Sequence, residues 1–318
     1  MGFKILASAK YVPSKIISNQ DLSQMMDTSD EWITKRTGIK YRHQVQDELN
    51  IDLAYQVAKS LLQKSQLQSQ QIDLIIIATM SPDYATPSVA AMLQGRLNAT
   101  KAIAFDINSA CSGFVYGMQV ANQILQNSKL EHAMIIGSEV LTKFLDFKDR
   151  STSVLFGDGA GGILVSYDKS DSQIIDANLM TYGKLAKYLT AGRVATPAQI
   201  KPDYLFQMNG RRVYEFATKK VPQSIQQVIN QSDYQINDIK YFILHQANAR
   251  IIQSVAKQLG QPMKKFPMNI QNYGNTAAAS EPILLAELLE KKQIQRGDLI
   301  VFSGFGGGLT VGTNLLKF

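Results

Sequence analysis

Hydrophobic positions along the first third of the chain follow two alternating spacings. The stretch "DELNIDLAYQVAKSLLQKS" (47–65) repeats its apolar residues at helical spacing and ends in polar residues, which predicts an amphipathic helix. The stretch "IDLIIIAT" (72–79) is a run rich in β-branched residues, typical of a strand buried on both faces of a parallel sheet. A strand over 102–107, a helix over 112–127 and a strand over 132–139 follow. This pattern predicts an α/β protein.

The second half of the chain repeats this pattern in the same order. One strand-like stretch begins at Ile72 and its counterpart at Ile239, and another begins at Glu131 and its counterpart at Gly297, so the two pairs have nearly equal separations along the chain. Between them a strand, a turn of small polar residues and a helix recur. We predict an internal duplication, although generic alternation of strands and helices could give the same landmarks by chance. The predicted halves are residues 1–170 and 171–318.

One stretch does not fit the repeated pattern. Residues 181–204, "TYGKLAKYLTAGRVATPAQIKPDY", hold two prolines and two glycines and have no clear periodicity. Proline and glycine punctuate regular structure. We therefore expect this segment to be a surface connection between the halves.

Composition narrows the class of protein. Of 318 residues, 45% are hydrophobic, which supports a large core, yet apolar runs such as "LIIIA" are far too short to span a membrane. The net charge of +7 is scattered, with no basic run longer than two residues, so no nucleic-acid surface is expected. The charge suits an acidic or phosphorylated partner. A single cysteine excludes an internal disulfide, and with no signal-peptide core near the start we expect a cytoplasmic protein.

That single cysteine, Cys111, stands where a predicted strand turns into a helix, in "NSACSGFVYG" (108–117). Unpaired N–H groups and the positive end of a helix dipole favour a thiolate at such a position. We therefore expect Cys111 to have a lowered pKa and to act as a nucleophile. The alternative is an inert buried cysteine.

Three further features stand at the carboxyl ends of predicted strands, where α/β sheets place ligands and catalytic groups. His245 ends the strand "YFIL", Asn275 follows another strand in "NYGNTAAASEP", and "GFGGG" with Gly307 follows a third. An asparagine amide can donate to a developing oxyanion, and glycines allow close backbone approach. Alone, each has a simpler interpretation as a hydrogen-bonded or turn residue. Together they predict one site.

These motifs resemble those of the β-ketoacyl-acyl carrier protein synthase III family, a group of thiolase-like condensing enzymes. The resemblance rests on six motifs that occur in the family's order along nearly the whole chain. They are "DTSDEWITKRTGI", "ACSGF", "STSVLFGDGAG", "HQAN", "YGNTAAAS" and "GFGGGLT". The resemblance implies a duplicated thiolase-like α/β fold, with two pseudo-equivalent halves whose mixed sheets are layered between helices (αβαβα).

The resemblance also implies a reaction and its residues. Cys111 would accept an acyl group from an acyl-CoA primer, with the backbone N–H groups of Cys111 and Gly307 as oxyanion hole. His245 and Asn275 would then stabilise the enolate formed when malonyl-acyl carrier protein loses CO₂, and the enolate would attack the acyl-cysteine. No metal or redox cofactor is implied. The enzyme would start fatty-acid synthesis as a homodimer.

Binding residues follow from the same resemblance. The coenzyme A channel would be lined by Thr28, Trp32, Arg36, Arg150, Gly210, Ala247 and Asn248. The acidic carrier protein would meet Arg250, Lys257, Arg211 and Arg212. Thr86 would border the acyl pocket at a dimer interface, where a small side chain could admit a longer or branched primer.

Three positions depart from the family's pattern. Glu215 stands where a basic residue is expected, Glu281 where an apolar residue is usual, and Val311 where a tryptophan is expected. We interpret Glu281 as a first-turn carboxylate favoured by the helix dipole.

Three other functions compete with this hypothesis. The first is a related condensing enzyme or acyltransferase of polyketide or secondary metabolism. The second is a cysteine hydrolase, which would need a different architecture for the same three residue types and would admit water where a condensing enzyme excludes it. The third is a non-catalytic protein that binds coenzyme A or the carrier, with Cys111 inert.

Overall fold

Two sheets form two of the layers of the molecule. We describe a computed structural model covering residues 2–168, 171–193 and 205–318. The strands are β1 (Gly2–Tyr11), β2 (Lys15–Ser18), β3 (Tyr41–Gln44), β4 (Leu74–Ala78), β5 (Ile103–Ile107), β6 (His132–Glu139), β7 (Gly159–Asp168), β8 (Gln173–Thr181), β9 (Leu189–Thr190), β10 (Gln207–Met208), β11 (Ile239–Leu244), β12 (Leu299–Gly306) and β13 (Thr310–Lys317). The helices are α1 (Asn19–Ser23), α2 (Asp30–Thr37), α3 (Asn50–Ser65), α4 (Val89–Leu97), α5 (Gly113–Gln126), α6 (Gly210–Asn230), α7 (Ala249–Gln258), α8 (Ile270–Tyr273) and α9 (Ser280–Glu290).

The first sheet has the order β1-β7-β6-β4-β5. Its strand β4 pairs in parallel with both neighbours, so that Leu74 lies opposite Ile103 on one side and Ala133 on the other. Strands β1 and β6 pair antiparallel with β7, which makes the sheet mixed. All five residues of β4 are buried. Because helices cover both faces, its apolar run needs no alternation, and the predicted strand is confirmed.

The second sheet has the order β11-β12-β13-β8. Strand β11 pairs in parallel with β12, whereas β13 pairs antiparallel with β12 and with β8. Two short two-stranded ribbons, β2–β3 and β9–β10, complete the strand pairing of the described residues.

Helices occupy three layers around these sheets. One cluster joins α5 and α9 to both sheets through residues such as Ile76, Phe114, Leu285 and Phe302, all 0% exposed. A second cluster packs α3 and α4 on the outer face of the first sheet. A third packs α6 and α7 on the outer face of the second sheet. The order is therefore α, β, α, β, α, as expected for the thiolase-like fold.

Most elements of the two halves correspond, but the strand predicted before Asn275 is wrong. The stretch equivalent to β5 forms the short helix α8, whose C-cap residue Gly274 has a positive φ of 64°, so the second sheet has one strand fewer than the first. Helix α9 follows α5 at the same separation along the chain as β12 follows β6. Just before these two helices, Ala110 and Ala277 have left-handed backbones with φ of 45° and 43°, a conformation uncommon for residues other than glycine. The two sheets lie on separate sides of residue 170, which stays the predicted boundary.

The segment 181–204 differs from its prediction. Its described part, residues 181–193, follows β8 and therefore lies within the second half. It holds a 3₁₀ turn, Gly183–Tyr188, and the short strand β9, and several of its residues line the central cavity. Because few of these residues are in regular structure, their sequence shows no periodicity. They nevertheless form part of the wall of the cavity described below. Residues 194–204 lie outside the described residues.

Candidate active site

A cavity of about 1010 Å³ lies between the two halves and receives residues from both. Cys111, His245 and Asn275 all line it, together with Gly306 and Gly307. Other predicted site residues in its wall are Trp32, Arg36, Arg150, Gly210, Arg211, Ala247, Asn248 and Arg250. The sequence motifs, which are far apart along the chain, therefore converge on one space.

Cys111 is held by a tight turn and by a strand of the other half. It lies in the 3₁₀ turn Ala110–Ser112 that leads into α5 and is 5% exposed. Strand β12 passes so close that a Cβ atom on Gly306 would lie 2.8 Å from the Cys111 Cβ and 3.2 Å from its Sγ. Only glycine permits this approach. Gly306 therefore allows β12 to lie directly against the Cys111 side chain.

The electrostatic surroundings of Cys111 differ from the expectation. Burial raises the pKa of the Cys111 thiol well above its ordinary value, and the carboxylates of Glu139 and Glu281 raise it further. The expected lowering of this pKa is therefore wrong. The helix terminus is a local feature of the sequence, whereas the two buried carboxyl groups come from other parts of the chain and are brought near only by folding. Formation of the thiolate needs a proton acceptor nearby.

His245 is buried and neutral. Its backbone N–H donates to the Ser303 carbonyl at 2.9 Å, which ties the end of β11 to β12. The ring is 1% exposed, and burial lowers its pKa to about 3. Nδ1 lies 2.7 Å from Ser280 Oγ, and the ring meets Phe305 edge to face, with centroids 5.1 Å apart. Because Nδ1 is engaged, Nε2 is the ring nitrogen that can meet a ligand.

The Asn275 amide is oriented by its own turn. Its Oδ1 accepts from the Ala277 N–H at 2.8 Å, so the NH₂ group is the end that it can present. Its backbone is fixed from the first half, since Asn275 N donates to the Leu155 carbonyl at 2.8 Å and Gly157 N donates to the Asn275 carbonyl at 3.0 Å. The amide is therefore a rigid donor, and it does not titrate.

The outer part of the cavity carries an aromatic ring flanked by cations. Guanidinium groups of Arg36 and Arg150 lie 4.7 Å and 5.2 Å from the centre of the Trp32 ring. Asn248 caps α7 and donates through Nδ2 to the Arg36 carbonyl at 3.0 Å. A planar π-surface with two cations suits a nucleotide and its phosphates.

Four predicted residues are not among the described residues that line the cavity, namely Thr28, Thr86, Lys257 and Arg212. The Thr28 hydroxyl is buried without a hydrogen-bond partner among the described residues. Thr86 and Lys257 are exposed. Arg212 and its neighbour Arg211 both bind Glu215, at 3.2 Å and 3.0 Å. The roles assigned to these four residues stay predictions.

The structure adds wall residues that no motif singled out. Phe156 and Phe206 stack face to face with centroids 4.2 Å apart, and both line the cavity with Leu189 and Ala191. From the sequence alone, these apolar side chains would be predicted to lie in the hydrophobic core and not in a binding site. Glu281 lies in the first turn of α9, as interpreted from the sequence, and its side chain is 0% exposed. Val311 is buried on β13 at 1% exposure, and nothing in the structure explains why valine replaces tryptophan there.

This fold and site define a condensing enzyme of the thiolase-like class, with a cysteine from one half and a histidine and an asparagine from the other. Known proteins agree. Family models described as 3-oxoacyl-[acyl-carrier-protein] synthase III and as its C-terminal part match residues 105–183 and 229–318. The chain is 52% identical to the β-ketoacyl-[acyl-carrier-protein] synthase III of Levilactobacillus brevis, over 100% of this chain and 99% of that protein. It belongs to the β-ketoacyl-acyl carrier protein synthase III family.

Solved structures place the chain in the same family. The crystal structure of 3-oxoacyl-[acyl-carrier-protein] synthase III from Aquifex aeolicus matches with a TM-score of 0.95 and 38% identity over 100% of both chains. A priming β-ketosynthase of a polyketide pathway matches with a TM-score of 0.94 and 27% identity, over 99% of this chain and 96% of that one.

Among the described residues, none of the helices combines the length and apolarity that crossing a membrane requires.

Proposed function

We propose that this chain condenses an acyl-CoA primer with malonyl-acyl carrier protein, through an acyl thioester on Cys111, and so starts fatty-acid synthesis. The observation that carries the proposal is the convergence of Cys111, His245 and Asn275 on one cavity. A nucleophile and two neutral donors are the groups that acyl transfer and enolate formation require. Their origin in both halves favours a condensing enzyme over a papain-like hydrolase.

The first half-reaction acylates the cysteine. The Cys111 thiolate attacks the thioester carbonyl, and the N–H groups of Cys111 and Gly307 stabilise the oxyanion. The C–S bond to coenzyme A then breaks and the acyl group stays on Cys111. We propose that Trp32 stacks on the adenine while Arg36 and Arg150 meet the nucleotide and phosphates. Thr28, Gly210, Ala247 and Asn248 would line the path of the pantetheine.

The second half-reaction forms the carbon–carbon bond. Malonyl-acyl carrier protein loses CO₂, and His245 Nε2–H and the Asn275 NH₂ donate to the enolate oxygen. The carbanion attacks the acyl-Cys111 carbonyl and releases the β-ketoacyl product. The proposal needs no metal or redox cofactor, because neutral donors of the chain meet each developing negative charge. Cys111 must stay reduced, which suits the cytoplasm.

The carrier protein would approach over the mouth of the cavity. Arg250 is exposed there and lines the cavity, and a net charge of +7 favours an acidic partner. Lys257, Arg211 and Arg212 are further candidate contacts. Glu215 neutralises part of this surface by pairing with both arginines, so we assign Arg250 the larger contribution.

We also propose that the enzyme is a homodimer joined along β5. This strand is one of the two edges of the five-stranded sheet, and Ile103 on it is 54% exposed. An open apolar edge is a template for pairing with another strand. Asp106 of β5 accepts from the first N–H groups of α4, Val89 and Ala90, both at 2.8 Å. Thr86, just before α4, would then border the acyl pocket at the interface. Sedimentation equilibrium tests the dimer.

Mass spectrometry after mixing the protein with acetyl-CoA tests the proposed function. We expect an acetyl group on Cys111 that persists until malonyl-acyl carrier protein is added, and then acetoacetyl-acyl carrier protein. A Cys111→Ala variant should carry no adduct. An unmodified wild-type protein would indicate a non-catalytic binding protein, and rapid loss of the adduct to free acetate would indicate a hydrolase. A stable adduct with no condensation would indicate an acyltransferase.

A further inference from the structure

A buried carboxyl group lies two hydrogen bonds away from the proposed catalytic histidine. Glu281, in the first turn of α9, is 0% exposed. Its Oε2 lies 2.9 Å from Ser280 Oγ, and the same hydroxyl lies 2.7 Å from His245 Nδ1. Its Oε1 has no hydrogen-bond partner among the described residues. Burying a carboxyl group with one unsatisfied oxygen is costly, and a role in the site would explain why this group is buried there.

The Ser280 hydroxyl can be satisfied in two ways. A serine hydroxyl donates once and accepts twice, and Ser280 Oγ has three neighbours, the third being the Gln246 N–H at 3.3 Å. If Glu281 is ionised, Oγ donates to the carboxylate and accepts from His245 Nδ1–H and from Gln246. If Glu281 is protonated, Oγ accepts from the carboxyl group and from Gln246, and donates to an unprotonated Nδ1.

These two arrangements leave different nitrogens protonated on the neutral imidazole. With ionised Glu281, the hydrogen is on Nδ1 and Nε2 is a base. With protonated Glu281, the hydrogen is on Nε2, which becomes a donor. The proposed reaction needs both states in turn, because Cys111 must lose a proton and the enolate must then receive a hydrogen bond.

We propose that Glu281 is a positioning residue that exchanges a proton with His245 through Ser280 and thereby selects which ring nitrogen carries the hydrogen. This inference rests on the proposed function of the same site. It adds a role for the residue that departs from the family's pattern.

The proton transfers balance over the cycle. The Cys111 S–H proton moves to Nε2, the Nδ1 proton to Ser280 Oγ, and the Ser280 proton to Glu281 Oε2, so the negative charge moves from the carboxylate to the sulfur. The thiolate is acylated, and the departing coenzyme A thiolate takes a proton from solvent. His245 Nε2–H then donates to the enolate. When condensation releases the Cys111 thiolate, the proton returns from Glu281 by the reverse path.

The charges around the site agree with this exchange. Burial raises the pKa of Glu281 to about 8, so its proton is exchangeable near neutral pH. His245, with its pKa lowered to about 3, stays a neutral imidazole in both states. Ionised Glu281 raises the pKa of the Cys111 thiol, so the transfer removes a charge that opposes the thiolate.

The other two glutamates of α9, and Glu139 near the site, have partners of their own. Glu139, at the end of β6, receives hydrogen bonds from Ser81 and Thr79, and burial raises its pKa to about 7. On α9 itself, Glu287 pairs with Lys10 of β1 at 2.6 Å, and Glu290 pairs with Lys64 of α3 at 3.3 Å. Of these groups, Glu281 is the one joined to His245 by hydrogen bonds through a single hydroxyl.

Nitrogen-15 NMR of the three histidines in the free enzyme tests the exchange. We expect the His245 hydrogen to be on Nε2 below about pH 8 and on Nδ1 above it, near the pKa of Glu281. Glu281→Gln, whose amide takes up no proton, should hold one tautomer at every pH. Ser280→Ala breaks the path and should do the same. Glu290→Gln, the same change at an exposed position of α9, should behave as the wild type.

Alkylation of Cys111 gives a second readout. In the wild type, the thiol and Glu281 titrate as a coupled pair, so the rate of alkylation by iodoacetamide should rise with pH in two steps. Glu281→Gln should give one step, and acylation by acetyl-CoA should slow by about a hundredfold, the lower end of what general acid–base catalysis contributes. A wild-type tautomer that does not change with pH, or a Glu281→Gln profile that keeps two steps, would overturn the inference.

These measurements are independent of the proposed function. The tautomer and the alkylation profile are read on the free enzyme without substrate. If acetyl-CoA left no adduct but the His245 tautomer followed Glu281, the proposed function would fail and the proton exchange would stand. The opposite result would leave a condensing enzyme in which Glu281 acts on packing alone.

Discussion

The turn that carries Cys111 and the turn that follows Asn275 are copies of one structure. Asn108 Oδ1 accepts from the Ala110 N–H at 3.2 Å, and at the equivalent place in the second half Asn275 Oδ1 accepts from the Ala277 N–H at 2.8 Å. Each turn continues through a 3₁₀ segment into the central helix of its half. The backbone is the same in both, so any difference in chemistry comes from the side chains.

The side chains at equivalent positions differ in kind. Cys111 corresponds to Ala278, and Ala78 at the end of β4 corresponds to His245. Gly113 corresponds to Ser280; a Cβ atom on Gly113 would lie 3.2 Å from the Cβ of Ala78, where the second half has its serine–histidine hydrogen bond. The first half therefore holds the nucleophile on an apolar support, and the second half holds the donors on a polar one.

The two turns also pack on each other's strands. A Cβ atom on Gly304 would lie 2.8 Å from Ser112 Cα, and one on Gly137, its equivalent in the first half, would overlap the Ala278 carbonyl. Each turn therefore needs a glycine of the other half. Duplication therefore supplied a symmetric frame, in which the nucleophile stands at one position of the first half and its partner histidine at a different, non-equivalent position of the second half.

Replacing Asn275 by aspartate should have the largest effect of the changes that test this comparison. Asn275→Asp keeps an oxygen for the Ala277 N–H and loses the NH₂ donor, so we expect decarboxylation of malonyl-acyl carrier protein to fall by about 10²–10³-fold, the usual loss for one oxyanion donor. Acylation of Cys111 should change less. Release of labelled CO₂ measures the first and mass spectrometry the second.

Asn108→Asp is the matched control, since it makes the same change in the equivalent turn. We expect its decarboxylation rate to stay near that of the wild type. Equal losses in the two variants would mean that both amides serve the reaction or that both act on the fold, and the proposed division between the halves would then be wrong.

The free energy of unfolding should depend on pH most strongly through Glu281, a group of the second half. Glu281 stands where the first half has Phe114, which is buried against Phe302. The folded state keeps the Glu281 proton up to a pKa of about 8, whereas an unfolded glutamate loses it near 4.5. The folded state therefore binds more protons in this window, and the free energy of unfolding should fall as pH rises from about 4.5 to about 8.

Glu281→Gln should remove most of this slope. One pKa unit corresponds to about 1.4 kcal/mol, so the difference between 4.5 and about 8 corresponds to a decrease in the free energy of unfolding of about 5 kcal/mol, which this variant should lose. Urea unfolding at several pH values measures it. In this variant the free energy of unfolding should still fall with pH, more weakly, up to about pH 7, because Glu139 keeps its proton up to a pKa of about 7. Glu290→Gln is the control, and a slope unchanged in Glu281→Gln would show that another group binds the proton.

The sequence predicted the frame better than the electrostatics. Strand β4 and helices α3 and α5 could be predicted from the sequence, because the spacing of their apolar residues is a local property. The positions of Cys111 and His245 followed from the rule that parallel strands end on one edge. The pKa of Cys111 could not follow, since it depends on carboxylates at positions 139 and 281 that only tertiary packing brings near. Glu281 itself was visible as a departure, but whether a first-turn carboxylate faces solvent or core depends on what packs over the helix.

The smallest expected effect comes from comparing an arginine on α4, an outer helix of the first half, with an arginine on α7, the corresponding helix of the second half. Arg96 on α4 binds Asp52 at 2.6 Å and lies over the Tyr55 ring at 4.1 Å, so its charge is already used. Arg250 on α7 lines the cavity, and its side chain is exposed to solvent. Arg250→Ala should raise the KM for malonyl-acyl carrier protein about three- to tenfold at low salt, with kcat unchanged, because an exposed charge acts mainly on encounter.

Salt and a matched variant decide whether the effect is electrostatic. The difference between Arg250→Ala and the wild type should shrink as ionic strength rises, since screening weakens interactions between exposed charges. Arg96→Ala removes the same side chain from the corresponding helix and should leave the KM unchanged. A KM raised equally by both variants would mean that the carrier protein responds to the net charge of the molecule, and the assignment of docking to the second half would then be lost.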